Sequence, residues 1–332
     1  MSVNLYPIKI AGVGKGLPES VITNLDLEKL VDTNDEWITT RSGIKERRLV
    51  SGDETGTSLA AKAGKQALEF AGIDCSEIDL IICATSIPDN LYPSTACEIQ
   101  KELGCINAAA FDITAACGGL IYGMNIARSF IASGTYKKVL LTAVDVHSRF
   151  VNWEDRSSCV LFGDGAGAMV LTRSEDGQDD ILHIDIEADG SKGAELKIPL
   201  IGKNCPLVEP NTLQSQHVFM NGKEIYKFAV NTVPESIKKA LDESNTKLED
   251  VDCFILHQAN VRIIESIADK LNVSKDKFYV NLHKYGNTSA ASIAIALLEA
   301  IQDGTVKNPS LLVLSGFGAG LTWGTAVIKW RG

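Results

Sequence analysis

No stretch of this sequence stays apolar for the roughly 18–20 residues that a membrane-spanning helix requires. The opening MSVNLYPIKIAGVG lacks a basic segment followed by a long apolar one, so neither a membrane association nor export is expected. A basic surplus is missing too. Lys and Arg number 32 against 42 Asp and Glu, a formal net charge of −10, which argues against nucleic-acid binding through a broad positive face. Eight cysteines contain no C-x-x-C pair, so no structural metal site is expected. A G-x-S-x-G elbow is absent, which removes the usual serine hydrolase. The glycine segments FGDGAGAMVL (162–171), GFGAGLTWG (316–324) and VGKGLP (13–18) lack the Lys-Ser/Thr ending of a phosphate loop. For the first two, tight turns between packed strands are the expected use. These exclusions leave a cytoplasmic protein without metal or cofactor as the simplest expectation.

What is present reads as a layered α/β protein. The 332 residues, 45% of them apolar, suffice for one large core or two ordinary ones. Strand-like runs (KIAGVG, DLIICATS, AAFDI, KVLLTAV, CFILHQA, LLVLSGFG, GTAVIKW) show little alternation, as expected of strands covered on both faces. Three- and four-residue apolar spacing predicts helices over 56–71, 118–132, 234–244 and 288–302. Two segments align without a gap 173 positions apart, ALEFAGIDCSEIDLIICATS from Ala67 and ALDESNTKLEDVDCFILHQA from Ala240. KVLLTAV at 138 and SLLVLSG at 310 keep an offset of 172. This repeat implies two similar α/β halves, 1–173 and 174–332, sharing a core.

Each half then offers a polar group at a comparable junction: Cys117 in FDITAACGGLI, and His257 and Asn287 in the other half. Ligands of open α/β sheets gather at the carboxyl ends of strands, so the three are candidates to meet there. Cys117 precedes a helical pattern whose unpaired N–H groups favour an anion and lower a thiol's pKa. Gly118 and Gly119 cost helix propensity there, which makes sense where a substrate approaches the backbone. Against this stand plainer uses. Cys117 could be a packing cysteine, like Cys75, Cys83, Cys97, Cys105, Cys159, Cys205 and Cys253, all expected to be reduced core thiols. His257 could be a satisfied core histidine, and Asn287 a turn or helix-cap residue. His147, His183, His217 and His283 are read as structural or surface residues.

Taken together, DTNDEWITTRSGIKERR (32–48), PSTACEIQ (93–100), AACGGL (115–120), FGDGAGAMVL (162–171), LHQANVRII (256–264), YGNTSAAS (285–292) and GFGAGLTWG (316–324) resemble, in order, the signatures of the β-ketoacyl-acyl-carrier-protein synthase III family of the thiolase superfamily. The resemblance covers essentially the whole chain. It implies a thiolase-like duplicated five-layered α/β/α/β/α fold with two mixed sheets and a homodimer. The activity it implies is an acyltransferase that condenses a short acyl-CoA, such as acetyl-CoA, with malonyl-acyl carrier protein to begin fatty-acid synthesis. Cys117, His257 and Asn287 would be the catalytic set, with the backbone N–H groups of Cys117 and Ala319 as the oxyanion hole. Elongating synthases carry a second histidine where Asn287 stands. For CoA the resemblance implies Thr33, Trp37, Arg41, Arg156, Gly222, Tyr226, Ala259 and Asn260, Tyr226 standing where phenylalanine is frequent. Tyr92 would limit the acyl pocket from across the dimer. Arg262, Lys270 and Lys227 would dock the acidic carrier protein, although Asp269 stands where the family often has a further lysine.

Three rivals are weaker. An acyltransferase or specialised-metabolism condensing enzyme of the same superfamily shares the cysteine, but transfer to an alcohol or amine needs no enolate stabiliser such as Asn287. A non-catalytic scaffold would have no need for all three residues. A cysteine hydrolase would require an acidic group orienting His257, and none is evident.

Overall fold

The computed structural model describes residues 5–199, 206–207 and 216–332. Nine strands build two sheets: β1 (Ile8–Gly16), β2 (Leu80–Ala84), β3 (Ala109–Ile113), β4 (Lys138–Asp145), β5 (Gly165–Arg173), β6 (Ile181–Ala188), β7 (Cys253–Leu256), β8 (Ser310–Gly318) and β9 (Thr322–Trp330). The first sheet has the order β1-β5-β4-β2-β3 and the second β7-β8-β9-β6. Both are mixed. β4, β2 and β3 run parallel, as do β7 and β8, while β1–β5, β5–β4, β8–β9 and β9–β6 are antiparallel.

Helices α1 (Asp35–Ser42), α2 (Gly56–Ala71), α3 (Gly119–Ala132), α4 (Gly222–Glu243), α5 (Val261–Leu271) and α6 (Ser292–Gln302) complete the frame. α3 and α6 pack on strands of both sheets, α2 only on the first, and α4 on the second, with α5 against α4. The layers are therefore helix, sheet, helix, sheet, helix. α6 shows why the middle layer is dry: SIAIALLEA is buried on every side, as a helix apolar all round must be. α2 is amphipathic and begins with a capping box in which Thr55 and Ser58 satisfy each other's backbone N–H groups.

Helix 56–71 falls where its spacing predicts. Helix 234–244 belongs to the longer α4, with Pro234 inside it, because residues on both sides of the proline bury apolar faces. At 288–302 a 3-10 turn, Ser289–Ala291, precedes α6. FGDGAGAMVL is no turn. Its second half opens β5, where a side chain at Gly167 would sit 2.6 Å from Cβ of Ala294, so glycine lets the middle helix approach. GFGAGLTWG does hold a turn, Ala319 to Leu321, between β8 and β9.

Cys75 and Cys105 correct the expectation of reduced thiols: they form a disulfide with Cα atoms 4.8 Å apart. They precede β2 and β3, and parallel neighbours bring their upstream residues together, within reach of a disulfide. Cys83, Cys159 and Cys253 are free and buried, Cys97 is free and exposed, and Cys205 lies outside the described residues.

The GVGKG run of β1 serves packing: a Cβ on Gly14 would lie 2.0 Å from the Ala63 carbonyl oxygen of α2. Gly14→Ala is expected to destabilise the protein by about 1–3 kcal/mol, read as a lower urea midpoint at unchanged slope.

Candidate functional site

Cys117 follows β3 in a 3-10 turn, Ala116–Gly118, that leads directly into α3. The turn lies against β8 so tightly that a Cβ on Gly318 would be 2.6 Å from the Cys117 nitrogen. Ala116 has φ +45 and Ser289 φ +53, left-handed conformations that L side chains seldom adopt and that concentrate where local geometry serves function. The Thr322 hydroxyl lies 3.0 Å from both the Ala115 and the Ala319 carbonyl oxygens, tying the cysteine turn to the loop after β8.

The second half closes over the thiol. Ser289 Oγ donates to Cys117 Sγ at 3.2 Å, and its backbone N–H donates to Asn287 Oδ1 at 2.9 Å. With its oxygen so engaged, the Asn287 amide keeps its NH₂ hydrogens as the groups to offer. Asn287 follows a one-turn helix, Leu282–Tyr285, and not a sheet strand; its backbone is held between Leu161 and Gly163. His257 continues β7 by donating its backbone N–H to the Ser315 carbonyl. Its Nδ1 lies 2.8 Å from Ser292 Oγ, which also accepts the Gln258 N–H. Cys117 and Asn287 thus join through Ser289, and His257 is fixed by Ser292 three residues farther on.

Electrostatics depart from expectation at the thiol. Burial pushes Cys117 up to about 12 from an ordinary 9.0, with the Ser289 hydrogen bond working against it. That rise corresponds to roughly 4 kcal/mol, whereas a helix terminus returns at most about 2 kcal/mol. Burial wins, and the resting thiol is protonated. Burial also lowers His257 to about 3, helped by the nearby His147 and opposed by a backbone hydrogen bond with Ser289, so the ring is neutral.

A separate cavity of about 390 Å³ is lined by residues including Trp37, Arg41, Ser42, Arg156 and Asn260. The Arg41 and Arg156 guanidinium groups stand 4.5 and 5.1 Å from the Trp37 ring centroid. Asn260 Nδ2 donates to the Arg41 carbonyl while its Oδ1 caps α5, which fixes this wall. The Thr33 hydroxyl is buried without a partner among the described residues. Ala259 lies two residues beyond His257 and donates its backbone N–H to the His257 carbonyl, Gly222 opens α4, and the Tyr226 hydroxyl pairs with Ser266 at 2.8 Å. Tyr92 is 87% exposed on the loop after β2, outside the cavity of its own chain. Arg262 is exposed on α5; Lys227 pairs with Glu224, Lys270 with Asn231, and Asp269 with Lys275. No group of metal-ligating side chains occurs among the described residues, and no described helix is long and apolar enough to cross a membrane.

Sequence reasoning missed Ser289, Ser292 and Thr322. The two serines lie inside YGNTSAAS, but only the folded chain shows what their hydroxyls touch.

Two mixed sheets enclosing two buried helices, with a cysteine, a histidine and an asparagine gathered at the middle, define a thiolase-fold condensing enzyme. Two profiles for 3-oxoacyl-[acyl-carrier-protein] synthase III match, one over residues 111–190 and one, for the C-terminal part, over 241–330. The chain is 48% identical to the β-ketoacyl-[acyl-carrier-protein] synthase III of Natranaerobius thermophilus over 97% of this chain and 99% of the relative. It is likewise 48% identical to that of Caldanaerobacter subterraneus over 97% of each chain. The crystal structure of the Aquifex aeolicus synthase III superposes with a TM-score of 0.89 at 48% identity, covering 97% of this chain and 100% of that one. The chain belongs to the 3-oxoacyl-[acyl-carrier-protein] synthase III family.

The lowered His257 pKa leaves the ring neutral down to about pH 3, so titration of this group removes nothing between there and neutrality. The rate of carbon dioxide release by acylated enzyme is expected to stay flat between about pH 5.5 and 8, without a histidine inflection.

Proposed function

We propose that this protein is a β-ketoacyl-[acyl-carrier-protein] synthase III that joins a short acyl group from acyl-CoA to malonyl-acyl carrier protein. The observation that carries the reading is the set Cys117–Ser289–Asn287 with His257 fixed by Ser292: one thiol facing uncharged hydrogen-bond donors in a buried space.

In the first half-reaction the Cys117 sulfur attacks the thioester carbonyl. Its proton ends on the departing CoA sulfur, so CoA leaves as a thiol and an acyl-cysteine remains. Thiol and leaving group are chemically alike, and the exchange is nearly balanced. The N–H groups of Cys117 and Ala319 are the oxyanion donors in this reading, each worth about 2.7–4 kcal/mol; the Thr322 tie between their loops supports it.

Malonyl-acyl carrier protein then binds, and His257 Nε2 and Asn287 Nδ2 donate to its thioester carbonyl. Carbon dioxide departs and its bonding electrons become the enolate those donors stabilise. The enolate carbon attacks the acyl-cysteine carbonyl, the C–S bond breaks, and the Cys117 thiolate regains a proton from solvent. A 3-oxoacyl-acyl carrier protein results. Uncharged donors suit an enolate, because a resident anion would repel it.

For CoA the reading rests on the Trp37 cavity, with Arg41 beside the phosphates and Arg156 swinging off Trp37 to admit the base. Arg262, Lys227 and Lys270, at the surface of α4 and α5, serve as the carrier-docking patch. The homodimer is supported by the exposure of Tyr92 and by β3 ending its sheet. The division into halves at 173 and 174 is supported by strands 8–173 forming one sheet and 181–330 the other.

Cys117→Ala is expected to gain no acetyl group from acetyl-CoA by intact mass. His257→Ala and Asn287→Ala are expected to load acetyl yet release carbon dioxide about 10²–10³-fold more slowly. Equal loss of both half-reactions in the latter two would undo the division of roles.

A further inference from the structure

One buried titratable side chain beside this site has no role in the reaction above. β4 ends at Asp145, and after Val146 the chain forms a 3-10 turn, His147–Arg149. Because β4, β2 and β3 are parallel neighbours, His147 leaves the same sheet edge as Cys117, two strand spacings or roughly 10 Å away. The Ser289–Ala291 turn, which reaches the thiol, packs against β4. His147 is 8% exposed, and its ring stacks on Phe162 at 4.5 Å, the residue whose backbone bridges Asn287. Two of its electrostatic neighbours are already at the site: it helps depress His257, while Asp145 acts on Cys117.

Neither His147 ring nitrogen has a hydrogen-bond partner among the described residues. The fully buried Asp145 carboxylate also has one oxygen, Oδ2, without a partner there, although its Oδ1 accepts from Ser86 and Ile87. Buried polar groups are ordinarily bonded, and filling space against Phe162 needs only a hydrocarbon side chain. A neutral imidazole offers one donor and one acceptor, which is what a hydroxyl requires and an alkyl chain cannot use.

We propose that His147 is a specificity-determining residue of the acyl pocket and that it selects acyl-CoA substrates carrying a hydroxyl a few bonds beyond the thioester. Acetyl is too short to meet it. On the two-strand spacing of roughly 10 Å, a hydroxyl on a four-carbon acyl chain is the group that would come within hydrogen-bond reach, with the unpartnered Asp145 Oδ2 as a second acceptor in this proposal. The inference rests on the acyl-cysteine reading of Cys117.

The test is a competition on the full-length enzyme. Equal concentrations of butyryl-CoA and either 3-hydroxybutyryl-CoA or 4-hydroxybutyryl-CoA are supplied, and the Cys117 adducts are read by intact mass at short times. Wild type is expected to favour one hydroxylated group by about tenfold, the worth of one hydrogen bond. His147→Leu is expected to lose that preference, and His147→Gln, which keeps a donor and an acceptor, to retain most of it. Butyryl preferred by wild type over both hydroxylated groups, or the same ratios in wild type and His147→Leu, overturns the proposal. Should His147→Leu fail to fold, the wild-type ratios and those of His147→Gln still decide. Absence of an adduct with acetyl-CoA alone would instead count against the acyl-cysteine itself.

Discussion

The close approach of the Cys117 turn to β8 is the constraint on which the rest of the site depends. A backbone from the first sheet lies where a side chain on Gly318 would stand, 2.6 Å from the cysteine nitrogen. That contact requires glycine on one side and a left-handed Ala116 on the other, both unfavourable choices for an isolated chain. They persist because the surrounding layers over-determine them. Thr322 then spans the same seam, and Ser289 closes it from the other side.

Dryness follows from this seam and governs the chemistry. At the mouth of a helix a thiol ordinarily gains from the dipole, but the burial of Cys117 outweighs that gain and keeps it protonated at rest. The same burial keeps His257 neutral. Both groups are therefore uncharged at rest, in surroundings where hydrogen bonds act more strongly than in water. The outer cavity at Trp37, by contrast, presents two guanidinium groups, those of Arg41 and Arg156.

The sequence leaves His147, in VDVHSRFVNWED, open as a structural or a surface residue, and the fold buries it. Only the parallel run of β4 beside β2 and β3 puts it at the edge from which Cys117 emerges. Cys75 and Cys105 were misread because the parallel strands that follow them bring together residues 30 apart in sequence. β5 hid behind its glycines, which in isolation signal a turn but in the fold admit Ala294.

What the sequence determined by itself is what local pattern and internal repetition encode. Helix 56–71, the unbroken apolar strands, the repeated offset and the order of the motifs are all properties of residues near one another along the chain. They suffice for the layered α/β class, for the family resemblance, and for Cys117, His257 and Asn287 as candidates. Tertiary structure decided which atoms meet. The partners of those three side chains, the protonation of the thiol, the disulfide and the placement of His147 all depend on contacts between distant segments, and no periodicity records how far a group is removed from water.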